Sequence, residues 1–313
     1  MSGQALDRRG LWGAAGSFVI WGLMPLYWHL LSAVPSLQIV MHRIVWSTLL
    51  VAGWLFVARG RHWVRDTLAQ PRLAWMLALS GVLIAFNWGL YIWAVNAGHV
   101  IETSLGYFIN PLLNVVIGVV FLHERLNRAQ WCSVAVAALG VLWLTFNYGS
   151  FPWIALVLAL SFGMYGLIRK LAAVEAIPGL GIESLYLFVP ALLVLLWSEA
   201  SGHGGFVPSH GAPGWGLGVD ALLVLAGALS AIPLIGYSYA VRRIAFSMIG
   251  LMQYIAPTLQ LLCGVFVFNE LFDRARAIGF VLIWIALAIF VVDGLVRSRR
   301  QVVRVAAVSD VSP

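Results

Sequence analysis

Arg43 is the side chain in this sequence whose chemistry fits its surroundings least. It follows His42 inside an apolar run over 37–58, about six residues from the run's edge and so about 9 Å deep at 1.5 Å per residue. A guanidinium at that depth in a hydrocarbon phase costs on the order of several kcal/mol unless it is paired, wetted or reaches an interface. Three outlets are open to it. It forms a fork for a solute carboxylate, an ion pair with Glu102 at the start of the run over 101–122, or a snorkelling contact with headgroups. His42 has the weaker claim to chemistry. No second histidine or carboxylate stands beside it at metal-ligand spacing, and the seven histidines form no HExxH-like cluster. No metal site follows.

The remaining polar candidates fall into stripes. Thr103, Tyr107, Asn110 and Asn114 lie at i, i+4, i+7 and i+11, one face of a helix. Gln253, Pro257, Gln260 and Gly264 make a second such stripe, and Asn87 with Tyr91 a shorter one, answered by Pro233 and Tyr237. Ser17, Trp21 and Trp28 recur on one face of the first run. Polar groups kept within lipid face a protein interior or a wet cavity, so these faces are expected to line one. Hydrogen bonding between neighbouring helices is the competing role for each Asn and Gln. Pro25, Pro111, Pro233 and Pro257 lie within their runs, where a missing donor and a ring clash four residues back produce kinks.

The elements that must position these residues follow from composition. The chain has 313 residues, 62% of them apolar and 10% charged, with a mean hydropathy of +0.93. Soluble domains carry about a quarter charged residues, so the apolar excess must face lipid. Runs of about 20 residues cross a hydrocarbon core. Ten fit here, near 11–31, 37–58, 73–95, 101–122, 130–147, 151–168, 181–198, 220–240, 247–268 and 277–296. The first is expected to be a retained helix and not a cleaved signal. With the N-terminus inside, sixteen of the nineteen Lys and Arg fall in inner segments, two (Arg274 and Arg276) fall outside, and Arg43 lies within a span. That asymmetry orients both termini toward the cytoplasm.

The sequence resembles itself at a spacing of 146. Tyr91-Ile92-Trp93-Ala94-Val95 matches Tyr237-Ser238-Tyr239-Ala240-Val241, Asn110-Pro111 falls on Ala256-Pro257, Gly118 on Gly264 and Glu124 on Glu270. Ser17-Phe18 and Trp21-Gly22 match Ser161-Phe162 and Tyr165-Gly166 at spacing 144. The repeats are residues 1–148 and 149–313. Five spans in each force the second to enter the membrane from the opposite side, an inverted plan with its solute site near the midplane. The fold class is therefore an all-α integral membrane protein of ten transmembrane helices, as two inverted five-helix repeats.

Absences narrow the function. The +7 charge is spread over loops, not one face, and argues against nucleic acid. Cys132 and Cys263 sit in apolar runs and read as packing residues. GxSxG, GxxxxGK[ST] and Asp-rich diphosphate motifs are missing, so no catalytic residue and no cofactor are expected. Glu102, Glu183 and Asp293 all fall near run ends, which points to facilitated diffusion or exchange over ion coupling.

Several segments resemble the RarD-type permeases of the EamA group, in the drug/metabolite transporter superfamily. They are Trp21-Gly22-Leu23-Met24-Pro25-Leu26-Tyr27-Trp28, His42-Arg43-Ile44-Val45-Trp46-Ser47, Asn87-Trp88 with Tyr91 to Asn96, Ser104-Leu105-Gly106-Tyr107-Phe108-Ile109-Asn110-Pro111-Leu112, His123-Glu124-Arg125-Leu126, and Gln253-Tyr254-Ile255-Ala256-Pro257-Thr258. The resemblance spans the chain and implies ten helices, an inner-membrane location and export of amino acids or related metabolites. Export of chloramphenicol-like drugs is the alternative that it raises, and a scaffold or receptor that moves nothing is the other. The expected partners are a small-molecule substrate and the lipid bilayer, with a monomer as the working unit. Trp21, Tyr91, Tyr107 and Tyr237 would give apolar contact, Asn87, Asn110, Asn114, Gln253 and Gln260 hydrogen bonds, and His42-Arg43 a polar anchor.

Overall fold

A chain in hydrocarbon must satisfy its backbone donors and acceptors internally, and a helix does so within one segment. The computed structural model describes residues 7–97, 99–206, 216–268 and 274–309. Among them the regular elements are helices: α1 (Arg8–Leu30), α2 (Ser36–Arg59), α3 (His62–Leu68), α4 (Pro71–Asn96), α5 (Val100–Val120), α6 (Arg128–Tyr148), α7 (Trp153–Leu171), α8 (Ala176–Ala200), α9 (Leu217–Val241), α10 (Phe246–Gln253), α11 (Ile255–Phe266) and α12 (Arg274–Ser309). The candidate repeat partner Glu270 and residues 207–215 lie outside the described residues. So do the side chains of Ile92, Val95, Asn96, Arg276, Arg297, Arg299, Arg300 and Arg304.

Nine stretches of helix among the described residues are long and apolar enough to cross a membrane, with α10 and α11 together forming one, Phe246–Phe266. α1 is not one of the nine. Trp12, Trp21, Trp28 and four glycines replace the aliphatic side chains that would raise its hydropathy. The short helix α3 was not expected from the sequence; Trp63 pins it to the bundle at 4% exposure.

Contacts between helix termini sort the bundle into two ends. At the first, Asp7 caps α1 and lies 3.5 Å from Arg243, just past α9. Arg59 at the end of α2 meets Glu175 before α8 at 2.7 Å. Glu124 accepts from the Phe246 and Ser247 amides that open α10, and Lys170 donates to Val241 O and Ile244 O. This is the proximal end. At the distal end the Tyr27 hydroxyl donates to Leu222 O, the Gln38 amide to His203 O, and Glu102 accepts from Ile154 N at 2.8 Å.

Prolines act differently from one helix to the next. α1, α5 and α9 stay helical through Pro25, Pro111 and Pro233. At Pro257 the ring crowds the carbonyl of Gln253 four residues back, and the helix is interrupted there, between α10 and α11. Pro25 likewise frees Trp21 O, and Gln260 Nε2 of α11 donates to it at 3.2 Å. The main helix pairings are α6 on α12, α5 on α7, α2 on α8 and α9, α1 on α9 and α11, α4 on α7 and α8, and α5 on α10. The largest buried cluster runs through α1, α2, α3, α4, α5, α7, α8, α9, α10 and α11.

Candidate functional site

A cavity of about 260 Å³ lies in the distal half of the bundle. Trp21, Pro25, Arg43, Asn87, Tyr91, Tyr107, Asn110, Gln253, Pro257 and Gln260, all singled out from the sequence, line it. Tyr91 and Tyr107 stand at its exposed side, each 37% accessible, with their rings 6.1 Å apart. Trp28, from the stripe of the first run, lines it too, as do Met24, Trp88 and Phe162, which were not proposed as site residues. Trp and Met in an apolar run carry no signal that separates a cavity wall from a lipid-facing anchor.

Arg43 is held by its neighbours in a defined pose. Nε donates to Ser230 Oγ of α9 at 2.8 Å. The guanidinium lies 4.9 Å from the Trp28 ring and 4.8 Å from the Trp88 ring, a cation between two aromatic faces. Of the three outlets, then, neither the Glu102 pair nor snorkelling is the one taken. Glu102 meets Ile154 N and lies 3.8 Å from His99 Nδ1. Nε is taken by Ser230, and Arg43 forms part of the cavity lining.

Part of the polar lining is already committed to holding helices together. Asn87 Nδ2 donates to Leu158 O and Ser161 Oγ of α7, both at 2.8 Å. Gln260 serves Trp21 O, and Gln253 Oε1 accepts from Asn114 Nδ2 at 2.7 Å. Asn110 differs. It lines the cavity, and its buried Oδ1 has no hydrogen-bond partner. A buried carbonyl left unpaired costs free energy, and a solute donor would recover it.

Five of the sequence candidates stand away from the cavity lining. His42 is one residue, about 100° of helix rotation, from Arg43; its ring packs on Phe206 at 5.0 Å and its Nδ1 accepts from Trp46 Nε1 at 3.2 Å. Asn114 is fully buried one turn beyond Asn110. Tyr237 lies beneath the cavity, 5.7 Å from Trp21, 5.4 Å from Phe162 and stacked on Tyr165 at 6.2 Å. Those four rings, with Phe18, form an aromatic floor that separates the cavity from the proximal end. Pro111 and Pro233 are likewise absent from the lining.

The proximal half corrects the reading of the carboxylates. Glu183 is not near a helix end. It is the eighth residue of α8, because that helix starts at Ala176 and carries Pro178 in its first turn, where an amide donor is not needed. Glu183 is 2% exposed and lies 3.5 Å from the fully buried Arg169, which the sequence had placed in a loop. Cys132 is also corrected: it is exposed on α6, whereas Cys263 is buried.

Comparison with known proteins accords with this architecture. Residues 8–146 match the model of the EamA-like transporter family. The RarD protein of Streptomyces exfoliatus is 43% identical over 98% of this chain and 96% of its own length. An uncharacterized transporter of Pseudomonas aeruginosa is 43% identical over 94% of this chain and 96% of its own. A solved crystal structure superposes with a TM-score of 0.67 at 21% identity, covering 95% of this chain and 99% of its own, a likeness of fold.

Proposed function

Since the chain belongs to the EamA-like transporter family, as a relative of the RarD proteins, we propose that it is an inner-membrane exporter of small organic solutes. Amino acids or related metabolites are the substrate class, and the distal cavity is their binding site. The observation that carries this reading is the charge and shape of that cavity: a posed guanidinium, an unpaired amide oxygen and aromatic walls, closed below by a floor of rings. Arg43 would take the solute carboxylate, Asn110 its donor, and Trp21, Trp28 and Trp88 its apolar part.

The carrier works as a monomer of ten spans, α1 being the tenth, arranged as inverted repeats over 1–148 and 149–313 with both termini cytoplasmic. Support for the repeats comes from the helix pairings. Exchanging α1 with α7, α2 with α8, α4 with α9, α5 with α10–α11 and α6 with α12 turns α1 on α11 into α7 on α5. It turns α1 on α9 into α7 on α4 and α2 on α9 into α8 on α4, and leaves α2 on α8 and α6 on α12 in place. Such a bundle exposes one seam to alternate sides. The buried Glu183 removes the ground on which facilitated diffusion or exchange was preferred to ion coupling; exchange is the mode proposed.

Counterflow in proteoliposomes, across a panel of labelled amino acids, tests the reading. Saturable exchange of at least one member is expected, lost in Asn110→Leu at normal expression. No exchange by any member, with reconstitution verified, removes the substrate class, and altered chloramphenicol sensitivity of a deletion strain would favour drug export instead.

A further inference from the structure

The solute cavity leaves one ionisable group unused. Glu183 sits below the aromatic floor, and its packing has features that a structural ion pair does not need. The side chains of Glu183 and Arg169 are both almost completely buried, 2% and 0% accessible. Their nearest approach, Nη1 to Oε1, is 3.5 Å, longer than the roughly 2.7–2.9 Å of a charge-assisted hydrogen bond. Arg169 spends Nε on Ser238 Oγ at 3.1 Å and Nη2 on Ala176 O at 3.0 Å, and Glu183 Oε1 accepts from the Ser80 hydroxyl. Arg169 Nη1 and Glu183 Oε2 have no hydrogen-bond partner. Two opposite charges thus lie together out of water, each with one atom unspent.

A second, smaller cavity of about 20 Å³ touches Glu183, Tyr165, Ser184 and Leu187, room for one water. Ile84, Trp88 and Leu234 form walls of both this cavity and the solute cavity, so a thin apolar partition separates Glu183 from the distal opening. Glu183 is also the eighth residue of α8, as Arg43 is the eighth of α2, and α2 packs on α8. The two helices enter from opposite ends of the bundle, so each carries a charge at matching depth on its own side of the floor.

We propose that Glu183 is a proton-binding site, and that its protonation releases Arg169 and opens the proximal end of the cavity. The proposal rests on the exchange reading above and supplies the second partner of the exchange, a proton. Oε2 takes the proton from hydronium reaching the small cavity; the carboxylate goes from −1 to 0 while Arg169 stays +1. The closed packing then encloses a cation without its counter-charge, and admitting water from the proximal side is the relief. Deprotonation into that water restores the pair and the seal. The groups at Glu183 are Arg169 and Tyr165 from α7 and Ser80 from α4; behind them Tyr237 of α9 stacks on Tyr165, and Thr48 of α2 donates to Ser184 O. Arg242 and Glu175 lie farther out along the Arg169 side. Gly179 completes the site, since a Cβ there would stand on the Arg169 guanidinium.

Two measurements on the full chain test this, one of them independent of any solute. Purified protein in detergent, taken from pH 8 to pH 5 in the presence of pyranine, should bind one more proton per chain than Glu183→Gln. Because Glu183→Gln strands Arg169, the Arg169→Gln/Glu183→Gln double variant, which buries no charge, is titrated alongside. Equal proton counts in all three overturn the proposal. In proteoliposomes a gradient of one pH unit should drive the exchanging amino acid to an accumulation of up to about tenfold. Glu183→Gln, which has no proton to lose and so cannot restore the seal, should hold it at one. Wild-type counterflow that ignores the gradient overturns proton coupling and leaves the solute site standing. The extra proton without counterflow keeps Glu183 as the proton site and removes the substrate class.

Discussion

Arg43 offers the sharpest quantitative test of the solute site. Replacing it with Ala removes three contacts at once: the bond to Ser230 Oγ at 2.8 Å and the faces of Trp28 and Trp88 at 4.9 and 4.8 Å. The stacking contacts are worth about 0.5–2 kcal/mol each, and their loss lowers the stability of the empty protein whatever solute is offered. The solute-specific part is the hydrogen bond from a charged donor to a carboxylate, about 1.5–3 kcal/mol. At about 1.4 kcal/mol per decade, that is a roughly 10- to 150-fold loss of affinity. The clean readout is therefore a ratio. Affinity is measured for an amino acid and for its carboxamide, by quenching of tryptophan fluorescence in wild type and Arg43→Ala. The acid should weaken by that factor and the amide far less, so the preference for the acid collapses. Arg43→Lys keeps the charge and loses the planar fork, and should fall between. Equal weakening of acid and amide would refute the reasoning and leave Arg43 as a helix-packing residue.

Other perturbations probe the frame around the site. Tyr237→Phe should leave both melting temperature and counterflow rate undiminished, because the buried hydroxyl has no hydrogen-bond partner; a fall in rate would return Tyr237 to the solute path. A double-mutant cycle on Asn114→Ala and Gln253→Ala, read by thermal melting in detergent, should give a coupling of about 0.6–1.7 kcal/mol, since Asn114 Nδ2 donates to Gln253 Oε1 at 2.7 Å. Gly179→Ala should destabilise the folded protein by about 1–3 kcal/mol through overpacking, and the same substitution should cost less in an Arg169→Ala background.

What the sequence displays and what it hides follow different physics. Arg43 was legible because a charge in an apolar run is expensive and has few remedies, and Asn110 because it continues a stripe at helical spacing. His42, its sequence neighbour, points elsewhere by the turn of the helix alone. For Asn114 and Gln260 the sequence left helix fastening open beside cavity lining, and could not choose because the partners, Gln253 and the carbonyl freed by Pro25, lie across the bundle. The start of α8 was hidden by Pro178, Gly179 and Gly181, which resemble a loop in sequence. Pro178 sits where its missing donor is harmless, and Gly179 makes room for Arg169. That misreading displaced Glu183 from the bundle to its edge. Trp88 looks like an interface anchor until Arg43 is found between it and Trp28.

The proposed transport depends on a single seam that faces one side of the membrane at a time. Single cysteines at Asn110, in the distal cavity, and at Ser238, below the aromatic floor, measure this directly in a chain with Cys132 and Cys263 replaced. An impermeant maleimide is applied from each side of oriented vesicles. At rest, Asn110→Cys should react from the distal side and Ser238→Cys from neither. Conditions that protect the first should expose the second to the proximal side. Simultaneous reaction of both, or rates that never trade against each other, would contradict alternating access.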